Sequence, residues 1–306
     1  MSNAVTRMLF KSFIYVALLA VSAGAQAGLQ EGLDAYHSGN FKAALKEFMP
    51  LAAKGDVEAG FNLGRMNELG QGVHQNYAKA KSRYSDAAIK GHAAAQYSLG
   101  QLYREGKGVA QDDKMAASWY LKAAVQGYAD AQYHVGIMYA QGLGVAHDDK
   151  EAVSWLGKAA EQGQADAQLA LAQIFQLGQI VTQDYLKAAK WYWKSADQGN
   201  ALAQYNLGQM YRQGTGVTQD YKVALSLLRK AAEQGQAAAQ FGLGELYADG
   251  QGVAQDAVQA DKWFRLAAAS GEERAAAKQA SVEAGLNPSQ IEQAQALVQQ
   301  WTPKHK

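Results

Sequence analysis

The chain has no cysteine in its 306 residues. That excludes disulfides, a lipid-modified cysteine anchor and any thiolate metal site. Proline is almost absent, at 3, while glycine reaches 31. Proline-rich linkers are therefore excluded, and the glycines point to many helix ends or tight helix contacts. Neither sign of charge prevails, with 29 basic residues against 28 acidic ones, so there is no electrostatic case for nucleic acid. Long apolar runs are missing as well, apart from Leu9 to Val21, which is too short for a comfortable transmembrane helix. What is abundant is alanine, and 10% of the chain is aromatic. Together these favour a folded protein of helices packed through small residues.

The N-terminus reads as an export signal. Arg7 and Lys11 make a basic start, the apolar stretch follows, and Ala25-Gln26-Ala27 gives a small-x-small cleavage site before Gly28. An uncleaved anchor is the alternative, and Met8 is a possible native start. Residues 1–27 are expected to be removed, leaving no stable membrane insertion and a bacterial periplasmic or secreted address. Without them, 27 basic residues stand against 28 acidic ones.

Superposing the chain on itself reveals its organisation. Gly91, Gly127, Gly163, Gly199, Gly235 and Gly271 are spaced 36 residues apart, and so are Val73, Val109, Val145, Val181, Val217 and Val253. Six units in register without an insertion are not compositional noise. In the unit at 93–128, Ala95, Leu99, Leu102 and Tyr103 form the apolar stripe of a first helix. Gly106 stands where a left-handed residue ends that helix. Asp112 is placed to cap a second helix whose stripe is Ala116, Trp119, Tyr120, Ala123 and Ala124. Each unit is thus a helix-loop-helix hairpin that buries its apolar face only by stacking on neighbours. Small residues recur inside the first helix at Gly64, Gly100, Gly136, Ala172, Gly208 and Gly244. Glycine there costs about 1 kcal/mol against alanine, so the pattern predicts a neighbouring backbone passing close by.

The ends deviate. Asn67 and Arg83 occupy slots that hold Tyr103 and Trp119 one unit later, and a half-regular unit at 28–56 precedes the array. After Gly271 the period is lost. Asn287, Pro288 and a Leu286–Ile291 staple then predict a capping helix to about Trp301, within a C-terminal helical cap at 273–306.

The unit A-x-A-Q-Y-x-L-G-x-x-Y-x-x-G-x-G-V-x-Q-D-x-x-x-A-x-x-W-Y-x-K-A-A-x-Q-G, which residues 93–127 match almost throughout, resembles the Sel-one-like repeat, a relative of the tetratricopeptide repeat. The resemblance spans 57–272 in six units, and the unit at 28–56 is closer to a tetratricopeptide repeat. It implies an all-α fold, a right-handed α/α superhelix of tandem helix-turn-helix repeats, with a concave groove lined by first helices. It also implies protein–protein interaction, often in bacterial envelopes, signalling or host contact. Departures are local: Ile180 replaces a loop glycine, and Leu227-Leu228 replaces a Trp-Tyr pair.

Searches for chemistry fail in specific ways. Gly106-Lys107-Gly108 follows a helix and lacks a third glycine or a P-loop Lys-Ser/Thr. The six histidines, His37, His74, His92, His134, His147 and His305, form no metal-binding pair. No serine precedes lysine at the S-x-x-K spacing, which argues against the β-lactam chemistry described for cysteine-rich relatives. The Trp119, Trp155, Trp191 and Trp263 series lies on the packing stripe and is expected in the core, not as a carbohydrate platform. No catalytic, cofactor or metal residue is assigned.

Slots that repeat build the array, and slots that vary are free for function. Among the variable slots of the first helices, Arg104, His134, Asn206, Gln209 and Arg212 share a face. These are the candidate partner-binding residues, suited to a peptide's carboxylates and backbone. The expectation is a monomeric, exported, non-catalytic scaffold binding an envelope or host protein through the groove. The alternative is a cell-wall-directed enzyme or binder, β-lactamase-like or muropeptide-binding, which rests on compartment and family analogy.

Overall fold

The computed structural model describes residues 26–301 and 303. The proposed signal segment at 1–27 therefore lies, but for its last two residues, outside the described residues. Those that are described form sixteen helices and no strand, and the chain divides into two compact units, 1–148 and 149–306.

The first unit holds α1 (residues 26–37), α2 (Phe41–Ala53), α3 (Val57–Leu69), α4 (Tyr77–Ile89), α5 (Ala93–Glu105), α6 (Asp113–Val125) and α7 (Ala129–Gln141). Consecutive helices pack in series, as the 36-residue period requires. The loop chemistry is the predicted one. Gly106 sits at φ 67° and ends α5, and Lys107 N–H donates to the Leu102 carbonyl at 3.1 Å, which satisfies a terminal carbonyl. The Asp112 carboxylate accepts from Met115 N–H at 2.9 Å and starts α6.

One expectation is corrected by the packing. Gly64 and Gly100 within the first helices each face a ring, not a backbone. A Cβ on Gly100 would lie 2.8 Å from the fully buried Tyr120 ring, and one on Gly64 would lie 2.6 Å from Tyr84. Close backbone approach occurs instead at the second loop glycine. A Cβ on Gly108 would be 2.6 Å from the Tyr77 carbonyl carbon, at the start of the preceding hairpin's second helix.

A second correction concerns the tryptophans. Tyr120 is wholly buried, whereas Trp119 is only half-buried, with Lys122 Nζ 3.8 Å from its ring centroid. The cation covers the exposed indole face, so the side chain is neither core nor an open stacking platform.

The second unit holds α8 (Asp149–Glu161), α9 (Ala165–Leu177), α10 (Tyr185–Asp197), α11 (Ala201–Gln213), α12 (Tyr221–Glu233), α13 (Ala237–Asp249), α14 (Ala257–Ala269), α15 (Ala275–Glu283) and α16 (Pro288–Gln299). The same hairpin construction repeats. Phe264 is buried beneath Gly244, and Leu228 beneath Gly208. Lysines lie 3.8 Å from the Trp155 ring centroid and 4.4 Å from that of Trp191, both half-buried, and only Trp263 of the series is buried.

A buried glutamine recurs in both units. Gln96, Gln132, Gln168, Gln204 and Gln240 each donate through Nε2 to a carbonyl eight residues earlier, at 3.0 to 3.3 Å. This satisfies a carbonyl at the end of the preceding helix and stitches each hairpin to the next.

The C-terminal helices close the array. The Asn287–Gln290 capping box and Pro288 start α16 as predicted, and α16 packs on α14 with Val298 and Trp301 against the cluster that contains Trp263. Helix α15, which the fading period gives no reason to expect, packs on α14 too. It is pinned by Arg265, which pairs with buried Asp261 at 2.9 Å and with Glu283. Burial raises the Asp261 carboxyl above the usual carboxylate range, against the pull of Arg265.

Candidate functional site

The five candidate residues fall in two clusters, one per unit. In the first, Arg104 near the end of α5 meets His134 of α7. Arg104 Nη1 donates to His134 Nδ1 at 3.2 Å. A guanidinium has no acceptor lone pair, so Nδ1 must be unprotonated, and the ring's proton on Nε2 points to the Tyr97 hydroxyl at 3.3 Å. Gln101 Nε2 donates to that same hydroxyl at 2.8 Å. The imidazole also stacks on Tyr120, with centroids 5.1 Å apart and planes 15° off parallel. Burial, reinforced by the Arg104 charge, pushes the His134 pKa down to about 4. Burial pushes Tyr97 up to about 12. At neutral pH the cluster is therefore a neutral imidazole between neutral phenols, with one cation at its edge.

The slot of Arg104 repays comparison across the repeats. At the equivalent position Glu68 accepts from the Tyr84 hydroxyl at 2.5 Å, and Gln176 accepts from the Tyr192 hydroxyl at 2.5 Å. Arg212 and Ala248 stand opposite Leu228 and Phe264, which have no hydroxyl. The variation thus tracks a packing requirement: an acceptor where a buried tyrosine needs one. Arg104 breaks the rule. It offers no acceptor, and the Tyr120 hydroxyl is buried with no partner among the described residues. Beyond the N–H given to His134, the partly exposed Arg104 guanidinium, with Glu105 3.9 Å away, keeps donors suited to an incoming carboxylate or carbonyl oxygen.

In the second unit, Asn206, Gln209 and Arg212 of α11 line one cavity of about 340 Å³. Gln176 of α9 and Gln213 bring further amides, and Phe241 and Glu245 of α13 form the far wall. First helices α9, α11 and α13 thus present a common face, as the spacing of the variable slots predicts. Arg212 is not free, since its Nη1 bonds Glu245 Oε2 at 2.6 Å, with each side chain about one-fifth exposed (21% and 20%). A half-buried pair of this kind fixes geometry more than it adds stability. The cavity's working surface is therefore amide-rich: side chains that both donate and accept, which matches an extended peptide backbone better than a carboxylate. Arg274 adds a cation over the Phe241 ring, 4.4 Å from its centroid.

Sequence reasoning missed Tyr97 and Tyr120 as parts of these clusters, whereas Gln176 and Glu245 occupy the same variable slots as Arg212 and Gln209. For Tyr120 the signal was present, in the pairing of acceptor slots with tyrosines one helix later. What gave no signal was the pairing of Glu245 with Arg212, because that ion pair bridges two hairpins. Among the described residues no group of three or more His, Asp or Glu side chains could hold a metal ion. No helix there is long and apolar enough to cross a membrane.

Stacked helical hairpins, each with a glycine-ended first helix and an aspartate- or asparagine-capped second helix, define an α-helical repeat solenoid. The chain belongs to the Sel1 repeat family, whose model matches residues 57–92, 93–128, 129–164, 165–200, 201–236 and 237–272. It is similar to the crystal structure of a protective antigen of uropathogenic Escherichia coli strains with an SLR fold, at 30% identity and TM-score 0.55, covering 92% of this chain and 77% of that one. It is also similar to a Sel1 repeat protein from Oxalobacter formigenes, at 29% identity and TM-score 0.70, covering 78% of this chain and 96% of that one. No curated protein matches the chain. Sel1 repeat proteins serve generally as protein-interaction scaffolds.

Proposed function

We propose that this protein is an exported, non-catalytic scaffold that holds an extended segment of an envelope or host protein against the face of its first helices. The observation that carries this reading is the cavity in which Asn206, Gln209 and Arg212 converge with Gln176 and Gln213. Its amides suit the main chain of a bound segment, while the Arg212–Glu245 pair holds the wall in place. The partly exposed Arg104 guanidinium supplies a second contact, for a carboxylate or carbonyl oxygen. Export is supported by the basic, apolar and small-x-small order of residues 7–27.

Crosslinking in intact cells tests the reading. The wild-type protein should capture a defined partner, and Asn206→Ala with Gln209→Ala should abolish that capture while the far-UV circular dichroism stays unchanged. Unaltered capture by the double variant would refute the proposed face. Turnover of labelled peptidoglycan fragments, or stoichiometric labelling by penicillin, would refute the non-catalytic assignment. N-terminal sequencing of the periplasmic fraction should begin at Gly28.

A further inference from the structure

The first full repeat lacks its two large apolar plugs. At the slot of Asn67 the other five repeats carry Tyr103, Tyr139, Phe175, Tyr211 and Tyr247, aromatic without exception. At the slot of Arg83 they carry Trp119, Trp155, Trp191, Leu227 and Trp263. In the next repeat Tyr103 and Trp119 pack against a core supplied by α3, α4 and α5. In the first repeat the corresponding space is a cavity of about 510 Å³ between α2, α3 and α4. Its floor and walls are apolar, formed by Leu45, Met49, Leu63 and Val73, and Met49 is 60% exposed at the mouth. Lys79 and Arg83 are exposed at its edge, and no carboxylate lines it. Asn67 does not reach across the gap, because its side chain turns back to donate to the Leu63 carbonyl at 2.6 Å.

We infer that this cavity is a receptor for an aromatic side chain, tryptophan or tyrosine, presented by a partner polypeptide with acidic residues beside it. The argument is one of internal equivalence. The repeat is built to hold two large side chains at this place, and five of the six repeats supply them from their own sequence. In the first repeat an aromatic ring from outside fills the same space and buries the same walls. The cations fit this occupant as well. Elsewhere in the chain Lys122 and Lys158 lie 3.8 Å from the centroids of the Trp119 and Trp155 rings, so a cation over an indole is a contact this fold already makes. Lys79 and Arg83 add attraction for flanking carboxylates. The site is distinct from the Arg104 contact in the same unit, so a partner engaging both would gain from two linked contacts.

The test uses acetyl-Glu-Trp-Glu-amide carrying 5-fluorotryptophan, titrated with the full chain and followed by ¹⁹F NMR. A single side chain should give saturable broadening with a Kd on the order of 1 mM, and acetyl-Glu-Ala-Glu-amide should not compete. Asn67→Tyr with Arg83→Trp, which restores the repeat's own plugs, should weaken binding at least tenfold and raise the thermal midpoint. If that variant fails to fold, Met49→Lys at the exposed mouth should weaken binding by a similar factor. Absence of saturation at about 10 mM, competition by the alanine peptide, or undiminished binding to the plugged variant would overturn the inference.

Discussion

His134 shows how a single residue ties stability to pH here. Its folded pKa is pushed down from 6.5 to about 4, so the folded state disfavours the imidazolium. Stability from this group is fully present above pH 6.5 and is lost as pH falls through about 4. Between pH 7 and 4.5 the wild type should lose on the order of 2 kcal/mol more than His134→Phe, which keeps a ring stacked on Tyr120 and cannot be charged. Urea unfolding of both proteins across that range checks this, and parallel pH profiles would contradict it. A second residue-scale feature is the glutamine ladder. Gln126, Gln198 and Gln234 donate to the Oε1 of Gln96, Gln168 and Gln204 at 2.8, 2.8 and 2.9 Å. The next donor position is Ser270, which is exposed, and Gln240 Oε1 is buried without a partner. Ser270→Gln should complete the rung and stabilise the second unit by about 1 kcal/mol, read as a rise in the thermal midpoint.

At the scale of the element, the α3–α4, α5–α6 and α13–α14 hairpins are held at the distance that a glycine allows against a buried ring. Gly100→Ala would gain helix propensity, about 1 kcal/mol, but would force a methyl into the Tyr120 ring, where overpacking costs about 1–3 kcal/mol. The unit at 165–200 accommodates Ala172 with a buried Tyr192, so helix spacing adjusts and the cost stays below the top of that range, at about 2 kcal/mol. A net loss of about 1 kcal/mol is expected, measurable by urea unfolding, and a stabilised variant would disprove the ring-contact account. Helix positions and caps were legible in the sequence because they rest on contacts within five or so residues: Asp112 with Met115 N–H, Gly106 at positive φ, Asn287 with Gln290. The identity of the glycine's neighbour was not legible, since Tyr120 reaches Gly100 from another helix. Helix α15 is hard to read for a related reason: its hold on α14 combines the Asp261–Arg265–Glu283 group with only Ala275 and Val282 as apolar contacts, too few to show a period.

For the whole molecule, stability should behave as a sum over neighbouring repeats within each unit. Deleting residues 201–236, one matched repeat, joins Asn200 to Ala237 and preserves the helix cap at the junction. The shortened chain should remain helical and unfold cooperatively, with a lower thermal midpoint. It should also lose partner capture, because Asn206, Gln209 and Arg212 leave with the deleted segment. Loss of helicity throughout would show that the repeats do not act as nearest-neighbour units. The sequence alone determined the helical class, the six-fold period, and the loop and cap chemistry. Each follows from short-range sterics and from a periodicity that repeats six times over. Only the tertiary structure decided which side chains fill the space between helices. It half-buried the tryptophans under lysines and set tyrosines against glycines. It also committed Arg212 to Glu245, left Tyr120 without an acceptor among the described residues, and left an open cavity beside Asn67 and Arg83. Those outcomes depend on which residues meet from different hairpins, and a linear sequence read one helix at a time does not contain that pairing.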